Sequence, residues 1–233
     1  FSLDPTPVLG GETLARMTRV LSHRGPDDEG LLTIANGRVQ LDGAAVEPAG
    51  SLASELHAGL GHRRLSIIDL SPAGHNPLAN EDRTVWITYN GEVYNFPALR
   101  AELESAGHRF RSHTDTECLV HQYEDAGDEV LAHLRGMFAF AILDARRGRL
   151  LLARDRLGKK PLFWSVVPGT RTILFASEVK SLLAALPRRP AVDPDGLDQL
   201  LTFGYIPAPA TLMEGVFALP PGHRLTFERD GGP

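Results

Sequence analysis

The chain has 233 residues, 42% hydrophobic and 23% charged, which is enough for one large domain with a full core and too apolar for disorder. A net charge of -5 and a pI near 6.0 give no basic field for nucleic acid or an anionic membrane. The single cysteine, Cys118, excludes an internal disulfide framework and a cysteine-based zinc site, and no stretch approaches the ~20 apolar residues of a membrane span, so a reducing cytoplasm is the expected compartment.

In chain order, Leu14, Met17, Val20 and Leu21 fall on one face of a first helix, broken at Ser22-His23-Arg24-Gly25-Pro26. Arg24 to Gly30 reads as a solvated loop, Leu31 to Ile34 as a short strand, and Asn36 to Ser54 as a loop with little periodicity. A further strand leads into Arg64. Val85 to Tyr89 and Glu92 to Tyr94 flank Asn90-Gly91, the dipeptide of a type I′ turn, which predicts a strand that turns sharply there and presents its NH groups at an edge. Pro97 suits the first turn of a helix that carries Leu99 and Leu103 inward and stops at Gly107. A second helix starts at Thr114 or Asp115 and ends at Gly127, with Thr114 and Glu117 spaced as a capping box, and a shorter one runs from Asp128 to about Leu134.

Met137 to Leu143, Arg149 to Ala153, Leu162 to Val167 and Thr172 to Ala176 read as strands whose short connections favour antiparallel pairing. Strands covered by helices make a layered α+β domain. Beyond Pro187 the composition shifts to Pro-rich turns around a helix from Pro194 to Leu201 and a last strand, Arg224 to Phe227, before Gly231-Gly232-Pro233, which reads as a boundary.

Three segments gather the chemistry: Arg64-Leu65-Ser66-Ile67-Ile68-Asp69, Tyr89-Asn90-Gly91-Glu92 and Thr114-Asp115-Thr116-Glu117. Arg is the usual fork for an α-carboxylate, Asp and Glu accept hydrogen bonds from an α-ammonium, and Asn with a glycine NH can form an oxyanion hole. Each segment has a plainer reading, as surface arginine, hairpin turn or helix cap. Their joint occurrence favours a site for an amino acid whose side-chain carbonyl is attacked. Cys118 with His121 one turn on could support nucleophilic catalysis, but among Leu119, Val120 and Tyr123 it reads as a small core residue. Arg154, Asp155, Lys159 and Lys160 read equally as an anion site or as a bend with an internal salt bridge. The histidines do not sit at metal-ligand spacings, and no metal site, phosphate loop or dinucleotide fingerprint is expected.

Gly61-His62-Arg63-Arg64-Leu65-Ser66-Ile67-Ile68-Asp69, Tyr89-Asn90-Gly91-Glu92-Val93-Tyr94-Asn95 and His113-Thr114-Asp115-Thr116-Glu117 closely resemble the glutaminase domain of glutamine-hydrolysing asparagine synthetases. So do Ser22 to Gly30, Leu134 to Phe140, Ala153 to Leu162 and Phe175 to Lys180. The resemblance implies a class II amidotransferase with the N-terminal-nucleophile hydrolase fold, a four-layer sandwich of two antiparallel sheets between helical layers. It places Arg24 to Gly30 near an opening strand, without a catalytic role. It implies that glutamine binds through Arg64, Leu65, Ser66, Ile67, Ile68, Asn90, Gly91, Glu92 and Asp115, with Asn90 and Gly91 as the oxyanion hole.

Such enzymes begin with a Cys that serves as nucleophile and, through its own amine, as general base. Here Phe1-Ser2-Leu3-Asp4 looks like the residues that come after that opening strand, so the expectation is that the nucleophile lies outside this chain and that the chain alone is inactive. Residues 1–190 are then the glutaminase domain lacking its first strand, and 191–233 an extension of it towards a synthetase domain. No cofactor is expected in these residues; ATP and Mg are expected in that further domain. The expected partners are L-glutamine and the synthetase domain of the same protein, with a homodimer left open and neither nucleic acid nor membrane. The alternative from another class is a vestigial, non-catalytic glutaminase-like module of a β-lactam synthetase-like or peptide-cyclising ligase.

Overall fold

The computed structural model describes residues 1–4, 9–53 and 56–228; the boundary read at Gly231-Gly232-Pro233 lies outside the described residues. Helix α1 (Gly11–Arg19) is followed by strands β1 (Asp28–Ala35), β2 (Arg38–Leu41), β3 (Ala44–Val46) and β4 (Ala58–Arg64). Next come β5 (Leu78–Ala79), β6 (Val85–Val93), α2 (Phe96–Ala106), α3 (Asp115–Ala126) and the short α4 (Val130–His133). The remainder is β7 (Gly136–Asp144), β8 (Arg149–Arg154), β9 (Phe163–Val166), β10 (Ile173–Ala176), α5 (Val179–Ala185), α6 (Pro194–Phe203), β11 (Val216–Ala218) and β12 (Arg224–Glu228).

One antiparallel sheet has the order β12-β8-β7-β6-β5. Two smaller sheets, β3-β2-β1-β4 and β10-β9-β11, lie edge to edge. Ser2 joins them, bridging His57 on one side and Thr172 on the other. Residues beyond 190 belong to both layers, because β11 pairs with β9 and β12 with β8.

Alternation along β6 explains the stacking. Trp86 faces the space between the sheets with Leu32, Leu60, Leu143 and Leu152, while Val85, Ile87, Tyr89 and Val93 face Leu99, Leu119 and Val120 of α2 and α3. A third cluster, with Met17, Leu174, Leu182 and Val216, seals α1 and α5 onto the other sheet. Each fully buried Leu, Ile or Phe contributes ~1.5–3 kcal/mol relative to exposure. The result is helix, sheet, sheet, helix, the expected four-layer α+β sandwich.

Asn90-Gly91 does not turn. Strand β6 pairs with β7 without interruption from Val85↔Asp144 to Val93↔Gly136. Gly91 is needed for close approach instead, since a Cβ there would come 2.3 Å from the Met137 carbonyl oxygen. The hairpin turns lie at Asn36-Gly37, with φ of 52° and 71°, and Asp42-Gly43, with φ of 52° and 80°, inside the stretch expected to be a loop. They form β1-β2-β3 with two-residue connections, as the pairs Ala35↔Arg38 and Leu41↔Ala44 show. Strand β1 also begins earlier than expected, because Asp28 pairs with Arg64 and Glu29 with Arg63. Helix α2 stops at Gly107 with φ 107°, and the Thr114 side chain caps α3 by accepting from the Glu117 NH. No helix among the described residues is long and apolar enough to cross a membrane.

Candidate active site

A cavity of about 500 Å³ opens where β4 and β10, the facing edges of the two smaller sheets, stand over the end of β6 and the start of α3. All the expected glutamine contacts line it except Ser66. The Ser66 NH donates instead to Asp27 Oδ2 at 2.8 Å, so the 24–30 segment props the loop that follows β4.

Arg64 ends β4 and is buried. Its guanidinium donates to the carbonyls of Ser71 at 3.2 Å, of Ile68 at 3.5 Å and of Asp69. Gly74 makes room for it, as a Cβ there would lie 2.0 Å from Nη2. Arg64 is therefore a buried cation whose hydrogen-bond partners among the described residues are neutral carbonyls, which leaves its charge available to an anion in the cavity. Asp69, with φ 54°, ties this loop to the approach of α3 by accepting the His113 NH at 2.8 Å. The Ser71 hydroxyl and the His113 NH hold the Asp69 carboxyl down at about 2. Leu65 and Ile67 stand 55% and 75% exposed at the cavity mouth.

Asn90 lies on the face of β6 turned to the other sheet, opposite Ala139. Its Nδ2 is buried and has no hydrogen-bond partner among the described residues. Thr88, two residues back on the same face, contacts His62 Nδ1 at 3.0 Å. Burial, then the Arg64 charge, pulls the His62 imidazole down to about 4, so it is neutral. Glu92, opposite Met137, continues the Asn90 face at the cavity rim.

Asp115 opens α3, where the helix dipole favours a carboxylate. One oxygen accepts from the Tyr89 hydroxyl at 2.6 Å and the Val93 NH at 2.9 Å. Burial nonetheless raises its pKa above the ordinary range, against the lowering effect of those bonds. Tyr89 is thus a supporting residue that sequence reading missed. Its position next to Asn90, but on the opposite strand face, was the available signal.

Cys118 is fully buried, with Sγ 3.7 Å from the Phe96 carbonyl, and burial pushes its thiol up to about 12. That is a core residue, not a nucleophile. Of the bend with an internal salt bridge, the structure has the bend, with no Arg154–Asp155 ion pair among the described residues. Asp155 accepts the NH groups of Phe138, Leu157, Lys159 and Lys160, while Arg154 donates to the carbonyls of Gly158, Lys160 and Leu219, so the bend rests on main-chain contacts.

Two antiparallel sheets between helical layers, with a cavity at their seam, have the architecture of the N-terminal-nucleophile hydrolase fold. Residues 40–232 match the profile of the glutamine amidotransferase domain family, and the chain belongs to it, as the N-terminal class II domain of the asparagine synthetase type. Over 223 residues it is 37% identical to glutamine-hydrolysing asparagine synthetase 3 of Bacillus subtilis, covering 94% of this chain and 32% of that protein. It is 34% identical over 227 residues to the amidase chry2 of Gibberella zeae, covering 94% of this chain and 30% of that protein. The chain spans about a third of the length of these relatives. In fold it resembles the glutamine phosphoribosylpyrophosphate amidotransferase of B. subtilis, with a TM-score of 0.65 at 18% identity, over 95% of this chain and 45% of that one.

Proposed function

We propose that this domain hydrolyses the side-chain amide of L-glutamine and delivers the ammonia to a synthetase region of the same protein. The observation that carries the reading is the buried, unpartnered Nδ2 of Asn90 at the cavity wall, a donor held in place for charge that develops on a substrate oxygen. Glutamine lies with its α-carboxylate towards Arg64 and its α-ammonium between Glu92 and Asp115, while Leu65, Ile67 and Ile68 border the entrance. Asn90 Nδ2 and the Gly91 NH meet the oxyanion of the tetrahedral intermediate.

The nucleophile is assigned to a cysteine preceding Phe1 in the full protein. Support comes from the pairing register. Ser2 stands opposite both His57 and Thr172 in antiparallel sense. A segment continuing that line backwards runs between β4 and β10, and at ~3.3 Å per residue about five residues reach the Arg64 end of the cavity. Its thiolate attacks the amide carbon, ammonia departs with a proton from the cysteine amine, and water then cleaves the thioester to glutamate.

Aspartate is the proposed ammonia acceptor, a reading supported by 37% identity to a B. subtilis asparagine synthetase. ATP and Mg²⁺ are assigned to the synthetase region; the present residues contain no glycine-rich phosphate loop to hold them. The protein is assigned to the cytoplasm.

The test is to label the full-length protein with a diazo-ketone glutamine analogue and map the modified residue. A label on a cysteine preceding Phe1 supports the glutaminase reading. No label on a protein whose start lacks cysteine makes the domain vestigial, and a label on Cys118 overturns the site. Transfer of ¹⁵N from glutamine amide to asparagine tests the acceptor separately.

A further inference from the structure

Four side chains outside the glutamine site converge where the β5–β6 turn, the α2–α3 connection and the second half of α3 meet. They are Glu81, His108, His121 and Glu124, and one ligand-type atom from each lies within 4.8 Å of the others. His121 Nδ1 stands 3.1 Å from Glu124 Oε2 and 3.4 Å from Glu81 Oε2. His108 Nδ1 stands 3.5 Å from Glu81 Oε1 and 3.9 Å from Glu124 Oε2. A tetrahedral zinc ion with bonds of about 2.0–2.1 Å holds its ligand atoms about 3.3–3.4 Å apart. The four observed spacings bracket that value.

The surrounding groups have the arrangement that orients metal ligands. His108 Nε2 meets Asp125 Oδ1 at 3.2 Å. His121, 1% exposed, turns Nε2 towards Glu117 Oε1 at 3.8 Å, a buried nitrogen with no hydrogen bond. The other oxygen of Glu124 accepts from Asn80 Nδ2 at 2.6 Å, and Glu81 Oε1 accepts the Arg109 NH at 3.0 Å. The competing account is an internal ion pair with a protonated His121. One proton on His121 still leaves His108 Nδ1 at 3.5 and 3.9 Å from its carboxylates, beyond good hydrogen-bond range. A single dication serves both rings and both carboxylates at once.

We propose that Glu81, His108, His121 and Glu124 form a structural zinc site that fastens the β5–β6 turn and the α2–α3 connection to α3. The set supplies all four ligands of a closed tetrahedral site, so it holds no position for substrate. Its effect on the glutamine cavity is to fix α3, whose first residue, Asp115, lies roughly 9 Å along the helix axis from His121.

The experiment uses the full-length protein without a histidine tag, stripped with chelator and titrated with Co²⁺ and Zn²⁺. The expected result is one tightly held ion per chain with the intense visible bands of tetrahedral Co²⁺, abolished by excess Zn²⁺. X-ray absorption of the zinc form should show only N and O neighbours at about 2.0–2.1 Å. Glu81→Gln and His108→Gln should lose the ion, and Asp125→Asn should weaken it about 10- to 100-fold. Wild-type protein that gives no tetrahedral bands overturns the proposal whatever the variants do. So does a tetrahedral ion retained equally by wild type, Glu81→Gln and His108→Gln.

Discussion

The two walls of the cavity treat their polar groups in opposite ways. Beside the 64–71 loop the charged groups are engaged: Arg64 with the Ile68, Asp69 and Ser71 carbonyls of the loop, Asp69 with Ser71 and with the His113 NH at the approach of α3. Towards the end of β6, Asn90 Nδ2 is buried without a partner among the described residues. A wall whose donors are already shared is preformed and binds the ground state by charge. A wall that keeps a donor free is matched to an atom whose charge appears only during reaction. On the proposed glutaminase reading, turnover depends on β6 and affinity on the loop.

The largest effect should separate them most cleanly. Asn90→Ala in the full-length protein should lower glutaminase kcat about 10²- to 10³-fold with little change in KM. If KM rose and turnover were intact, Asn90 would hold the resting substrate and the contrast between the walls would collapse. Arg64→Ala should act the other way, raising KM for glutamine roughly ten- to a hundredfold, since a charged hydrogen bond contributes ~1.5–3 kcal/mol. A change below about twofold would remove Arg64 from the carboxylate. Arg64→Lys keeps the charge but not the fork, and recovery of only part of the affinity would show that geometry contributes. Gly91→Ala should cost ~1–3 kcal/mol of stability by overpacking, because its Cβ would meet the Met137 oxygen at 2.3 Å; a shift in Tm measures it.

These two walls were unequally legible in the sequence. The residue set was readable because Arg64, Asn90, Gly91, Glu92 and Asp115 occur in three compact segments, and the helix limits at Thr114 and Gly107 follow from capping chemistry. The local geometry was not. Asn90-Gly91 carries the same dipeptide as the true turn at Asn36-Gly37, and what distinguishes them is the long pairing of β6 with β7, a tertiary fact. Propensity for a turn yields where nine successive ladder pairs oppose it. The Glu81, His108, His121 and Glu124 cluster escaped for a related reason. Only His121 and Glu124 share an element, so no spacing rule sees the other two. Helix α5, seven residues long and without a side-chain cap, gave too little periodicity to read.

Asp115 stands between the two walls: it is held by hydrogen bonds like the loop, yet its burial penalises the charge it carries. Tyr89 and Val93 both bond one of its oxygens, and still burial raises its pKa from the ordinary 3.8. A carboxyl whose folded pKa is raised stabilises the fold fully below its unfolded pKa, and that contribution is lost as pH rises through the folded pKa. At neutral pH the buried charge therefore costs stability, and Asp115→Asn should raise the Tm of the glutamine-free protein. The gain should shrink as pH falls and vanish below about 3.8, where both side chains are neutral. Glutamine should reverse the ranking, since its ammonium neutralises Asp115 and finds no charge on Asn. Thermal melts of both proteins across pH, with and without a non-hydrolysed glutamine analogue, measure this directly. A variant that is less stable without ligand would show that Tyr89 and Val93 already satisfy the carboxylate, and that the cavity holds no charge waiting for the substrate ammonium.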